Sequence, residues 1–81
     1  MKLKDVIEET WILKDLKKRG ILAQYNKCKT MLLSGHFTNV DFKKRQPKKD
    51  NIYYFRINQK YRAICFVKDN RLTVVKIDSH Q

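Results

Sequence analysis

The sequence predicts an α+β fold: a helical hairpin from the N-terminal half packed on a small C-terminal antiparallel sheet of at least three strands. Three observations carry this. Apolar residues recur at three- and four-residue spacing as far as Leu33, β-branched and aromatic runs fill the chain from Ile52 onward, and a cationic stretch holding the one proline separates the two patterns. With 81 residues, 42% of them hydrophobic, the chain forms one domain over residues 1–81, because two cores would share too little apolar material to offset chain entropy.

Asp5 and Glu8 have capping-box spacing; Glu8 and Glu9 suit the positive end of a helix, and Lys17, Lys18 and Arg19 its negative end. Leu3, Ile7 and Trp11, joined by Val6, Leu13 and Leu16, form one apolar face, so the first helix is expected over residues 5–19, with Gly20 as its stop. Ile21, Tyr25, Cys28 and Leu32 repeat the period, with Leu22 and Met31 alongside, and Ser34-Gly35 closes a second helix. The two helices are expected to lie antiparallel, with apolar faces that the C-terminal half covers.

From His36 to Asn51 the chain reads as a loop, with five cations in the seven residues 43–49 and room for a short edge strand at Asn39–Lys43. The runs "IYYFRIN", "YRAICFVK" and "RLTVVKID" follow as strands. Their links, Asn58-Gln59-Lys60 and Asp69-Asn70, are short enough to allow only hairpins, hence a three-stranded meander.

Nineteen Lys+Arg against eight Asp+Glu give a net charge of +11, a field that draws polyanions, nucleic acid foremost, though a generically basic surface has the same composition. Cys28 and Cys65 are isolated and lack CxxC spacing, so they read as packed thiols and not as a disulfide or zinc framework. No apolar run has membrane-spanning length, and the opening "MKLKDVIEET" turns acidic where a signal peptide turns apolar, so a cytoplasmic protein without membrane contact is expected. Gly-rich phosphate loops, HExxH and a Ser-His-Asp pattern are absent from the sequence.

What remains is a set of cations on the expected sheet and its leading loop: Lys43, Lys44, Arg45, Arg56 and Arg62, with His80 after the last strand. Alternation along the strand sends Tyr53, Phe55 and Ile57 inward and Tyr54 and Arg56 outward. An open-face arginine beside a tyrosine matches a phosphate and a stacked base, while an ordinary ion pair from Arg56 to Asp69 or Asp78 accounts for it equally well. Arg62 depends on the turn. A two-residue turn at Gln59-Lys60 sends it to the face away from Arg56, whereas a three-residue loop pairs Ile57 with Tyr61 and Arg56 with Arg62, two like charges that an anion between them would relieve. His36 reads as a solvated loop residue, and His80 as either a C-terminal side chain or a proton shuttle near neutral pH.

The run "FRINQKYRAICFVKDNRLTVVKIDSH", with "SGHFTNVDFKK" before it, resembles the RelE/ParE superfamily of type II toxins, and in particular its RelE/YoeB/HigB-like mRNA interferases. The likeness covers about residues 32–80. It implies that Arg62 of "KYRAI" is the recurrent active-site arginine, that Arg56 is a basic residue sharing its concave face, and that His80 is the general acid. The base falls on Asp41, Lys43 or Lys44, and stacking on Tyr54, on Tyr61 or on the ribosome itself. The implied activity is a metal-independent, cofactor-free endoribonuclease that cuts mRNA on the ribosome and inhibits translation. A cognate antitoxin would silence it in a hetero-oligomer, its acidic segment covering the basic face. A ParE-like inhibitor of DNA gyrase and a non-catalytic RNA-binding module are the alternatives. The family opens with a strand at the sheet edge; only four residues precede the expected first helix, so that strand is expected to be missing or very short.

Overall fold

The computed structural model describes residues 1–79. In chain order the strands and α-helices are β1 (Asp5–Glu8), α1 (Ile12–Lys18), α2 (Leu22–Leu33), β2 (Lys43–Lys44), β3 (Ile52–Arg56), β4 (Tyr61–Lys68) and β5 (Arg71–Ser79). They form a five-stranded mixed sheet in the order β1-β5-β4-β3-β2, with β1 parallel to β5 and the other pairs antiparallel. This corrects the expected architecture. The chain starts on a strand, and the helices lie between it and the remaining strands in sequence instead of opening the fold as a hairpin on an antiparallel sheet.

The expected helix over residues 5–19 therefore shrinks to Ile12–Lys18, and the edge strand expected to be missing or very short is present as the four residues Asp5–Glu8. Val6 is buried and its neighbour Ile7 is 41% exposed, the period-2 signature of a half-covered strand. Asp5 is not a helix cap. It faces Arg71 on β5, whose Nε and Nη2 both donate to Asp5 Oδ2, at 3.1 and 3.0 Å. Glu8 caps nothing either: its Oε2 accepts from the Tyr25 hydroxyl at 2.6 Å and from Lys29 Nζ at 2.9 Å. The helical spacing of Ile7 and Trp11 was coincidental, since both are exposed. β1 forms because a partner 66 residues away supplies its ladder, and no local window of sequence holds that information.

Both glycine stops act as read. Gly20 and Gly35 sit at φ +72° and +80°, the left-handed region where a side chain is strained. Around each, the next residue's N–H reaches back over the last turn: Ile21 to the Leu16 carbonyl at 3.0 Å and His36 to the Met31 carbonyl at 2.9 Å. These are Schellman closures, and they satisfy carbonyls that the helix ends would otherwise orphan. Between the helices and one sheet face lies the core, in which Tyr25, Phe55, Ile12, Leu16, Leu32 and Leu72 are fully buried. Each such side chain contributes roughly 1.5–3 kcal/mol of transfer free energy. Cys28 and Cys65 are buried free thiols, and burial pushes the Cys65 pKa up to about 12.

The expected edge strand at Asn39–Lys43 is displaced. Phe37–Val40 form a 3₁₀ turn, and the strand is the two-residue β2 against β3. Asp69 and Asn70, at φ 52° and 63°, make the tight hairpin between β4 and β5. None of the described helices is long and apolar enough to cross a membrane.

Candidate functional site

The helices cover one face of the sheet, and the other is open. On that open face the register sets Arg56 of β3 directly opposite Arg62 of β4, which in turn faces Asp78 of β5. The three-residue link is the reason. Ile57 N–H donates to the Tyr61 carbonyl at 3.0 Å, and the Asn58 side-chain oxygen accepts from the N–H groups of Lys60 and Tyr61, at 2.8 and 2.9 Å. Asn58 Nδ2 also donates to Gln24 Oε1 of α2 at 2.8 Å, which ties the loop to the helix layer. An asparagine that closes its own turn in this way fixes the longer loop, and with it the common face of the two arginines.

Two like charges opposite each other repel, and each is drawn to its own acid. Arg62 Nη2 donates to Asp78 Oδ2 at 2.9 Å, and Arg56 Nε stands 3.5 Å from Asp41 Oδ2. The row across the face is thus acid, base, base, acid. The Arg62 guanidinium also lies over the Tyr54 ring, 5.1 Å from its centroid, while its Nε is buried with no hydrogen-bond partner. The Arg62 hydrogen bond, helped by the charges of Arg62, Lys76 and Arg45, holds the Asp78 carboxyl below its ordinary value. A face that stabilises a carboxylate this way offers the same stabilisation to a phosphate oxygen.

The other expected residues divide. Tyr54 belongs to the open face, beneath Arg62, and Lys43 faces Tyr54 from β2. Arg45 is exposed, and its charge acts on Asp78. Asp41 is exposed at φ 50°, the left-handed cap of the 3₁₀ turn. Lys44 instead faces Tyr53, 5.7 Å over a ring that packs against the core, and Tyr61 is turned to the helix layer under the Arg19 guanidinium at 5.2 Å. Tyr61 is therefore not brought to the arginine pair. His80 lies outside the described residues. Lys76 and Asn58 were not anticipated: Lys76 follows from the β4–β5 register, and Asn58 from its position two residues before the N–H it accepts. Asp78 does form an ion pair, with Arg62 and not with Arg56, and Asp69 is occupied in the β4–β5 turn.

The chain shares its fold with toxin–antitoxin structures. A chain of the YoeB–YefM complex from Staphylococcus aureus aligns with a TM-score of 0.68, at 17% identity, over 100% of this chain and 100% of that one. A chain of the heterotetrameric YoeB–YefM toxin–antitoxin complex from the same organism aligns with a TM-score of 0.66, again at 17% identity and 100% coverage of both. Neither a protein-family model nor a curated protein matches the sequence.

One depression borders the site and another lies away from it. A shallow groove of about 510 Å³ runs along the open face at its other end, where Ile7 and Phe66 are flanked by Lys4, Lys68 and Arg71. A smaller one of about 270 Å³ lies between α2 and the 3₁₀ turn and reaches Arg56. Among the described residues no three His, Cys, Asp or Glu side chains converge in the manner of a metal site.

Proposed function

We propose that this chain is the toxin of a type II toxin–antitoxin pair, an endoribonuclease that cuts mRNA on the ribosome through its open sheet face. The observation that carries the reading is the register that opposes Arg56 and Arg62 on an exposed surface, with Asp41 within 3.5 Å of Arg56. The shared fold and the net charge of +11 support it.

In this reading a ribose 2′-hydroxyl gives its proton to Asp41 and attacks the adjacent phosphorus, and the bond to the 5′-oxygen breaks as His80 protonates it. Arg56 and Arg62 hold the extra negative charge of the pentavalent state, where a fixed guanidinium acts with little reorganisation. Asp78 keeps Arg62 in place until the phosphate competes for it, and Tyr54 supports the guanidinium from below. The chemistry needs charge, a base and an acid, and no metal or cofactor is invoked. An acidic antitoxin segment would silence the face by taking the same cations.

The test is a translation mixture programmed with a defined mRNA and read by primer extension. Wild-type protein should produce cuts that Arg62→Ala abolishes by at least about 100-fold, as expected for removal of a transition-state donor, while its circular dichroism stays native. Cleavage by Arg62→Ala at the normal rate overturns the mechanism. Intact mRNA with relaxed or broken DNA would favour the gyrase inhibitor, and salt-sensitive RNA binding without cleavage the binding module.

A further inference from the structure

We propose that the depression beside Arg56 is a nucleobase subsite, receiving the base next to the phosphate that Arg56 contacts and preferring bases rich in carbonyl acceptors, guanine and uracil, over adenine. The inference rests on the RNA reading of the arginine pair. Arg56 is the residue that belongs to both places, standing opposite Arg62 in the sheet register and lining the depression. This is possible because β2 pairs with β3 only as far as Tyr54, so the β3 edge beyond it is open toward the 3₁₀ turn.

The chemistry of the lining is that of a base site. Its apolar part is Met31 of α2, Val40 of the 3₁₀ turn and Ile57, surfaces suited to a flat ring. Cys28 fixes the inner end: its Sγ–H lies 3.5 Å from the Arg56 carbonyl and 3.8 Å from that of Ile57, which joins α2 to the strand at this point. At about 270 Å³ the space falls just below the roughly 300–1,000 Å³ of drug-sized ligand pockets, a scale suited to one planar heterocycle. The polar part is Gln24, Lys27 and Asn39. Because Gln24 Oε1 already accepts from Asn58, its amide presents donors, as does the Lys27 ammonium, and Asn39 supplies one donor–acceptor pair. Donors outnumber acceptors, which selects carbonyl edges over the adenine amino group.

The experiment is a heteronuclear NMR titration of the full chain with uncharged guanosine, uridine and adenosine, and separately with inorganic phosphate. Guanosine and uridine should move the Asn39 and Gln24 side-chain amides and the Met31 methyl, binding about tenfold tighter than adenosine, and Asn39→Asp, an exposed change, should weaken them about tenfold. Phosphate should move Arg56 and Arg62 and leave Met31 unmoved. The subsite is overturned if no nucleoside shifts those three side chains, if adenosine binds as well as the others, or if Asn39→Asp changes nothing. Failure of phosphate to reach the arginines would instead count against the endoribonuclease reading, and the nucleoside results stand apart from it.

Discussion

Arg56 and Arg62 face each other across β3 and β4, yet their guanidinium groups are drawn in opposite directions, Arg62 to Asp78 at 2.9 Å and Arg56 to Asp41 at 3.5 Å. The arginine row is held in place by acids at both ends, so an incoming phosphate competes with carboxylates that each engage a single nitrogen of a guanidinium fork.

Asp78→Asn should loosen that arrangement. Both partners are partly exposed, so the pair is worth only about 0.5–1 kcal/mol in urea unfolding, while affinity for a short RNA should rise because Arg62 is freed. The pH dependence has a definite sign. The folded Asp78 carboxyl titrates below its unfolded value, so its stabilisation is present above about pH 4 and is lost as pH falls through the folded value. Acid unfolding of Asp78→Asn should lack that component; an acid profile identical to wild type would show that the pair does not act on stability.

Asn58→Ala tests whether the loop sets the face. It removes the acceptor for two backbone N–H groups and the tie to Gln24, which should cost about 1–3 kcal/mol. RNA cleavage should fall further than the stability loss explains, because a one-residue slip sends Arg62 to the other face. Full activity with normal cross-strand contacts between Arg56 and Arg62 would assign the register to the strands alone.

Tyr25→Phe probes the tether from α2 to the parallel strand. The hydroxyl donates to Glu8 at 2.6 Å, and its loss should lower stability by about 1–2 kcal/mol by chemical denaturation without affecting the open face. Burial, and then the Glu8 hydrogen bond, push the Tyr25 pKa up. The wild type should therefore lose stability as pH rises above about 10, where the unfolded phenol ionises and the folded one does not. Tyr25→Phe should show a smaller alkaline loss.

The thiols give a check on the core. With Cys65 pushed up to about 12 and Cys28 raised by burial, a disulfide reagent at pH 8 should label neither in the folded chain and both in denaturant. Rapid labelling of Cys65 in the native protein would contradict its place in the core.

The sequence by itself determined the pieces governed by neighbours along the chain. α2 and its Ser34-Gly35 closure, the stop at Gly20, the three long strands and the Asp69-Asn70 hairpin follow from periodicity and from residues that accept positive φ. It also singled out Arg56, Arg62 and Tyr54, because cations and a ring in a half-buried strand stand out against its alternation, whereas Asp41, which caps the 3₁₀ turn, came only from the family resemblance. The tertiary structure decided what depends on distant partners. Residues 5–8 are a strand and not a helix because β5 lies beside them, with Arg71 held by Asp5. Tyr61 turns inward, and the arginines share a face, because Asn58 closes a three-residue loop against Gln24. Local spacing fixes which side a residue takes relative to its neighbours, but only pairing across the sheet fixes which side that is.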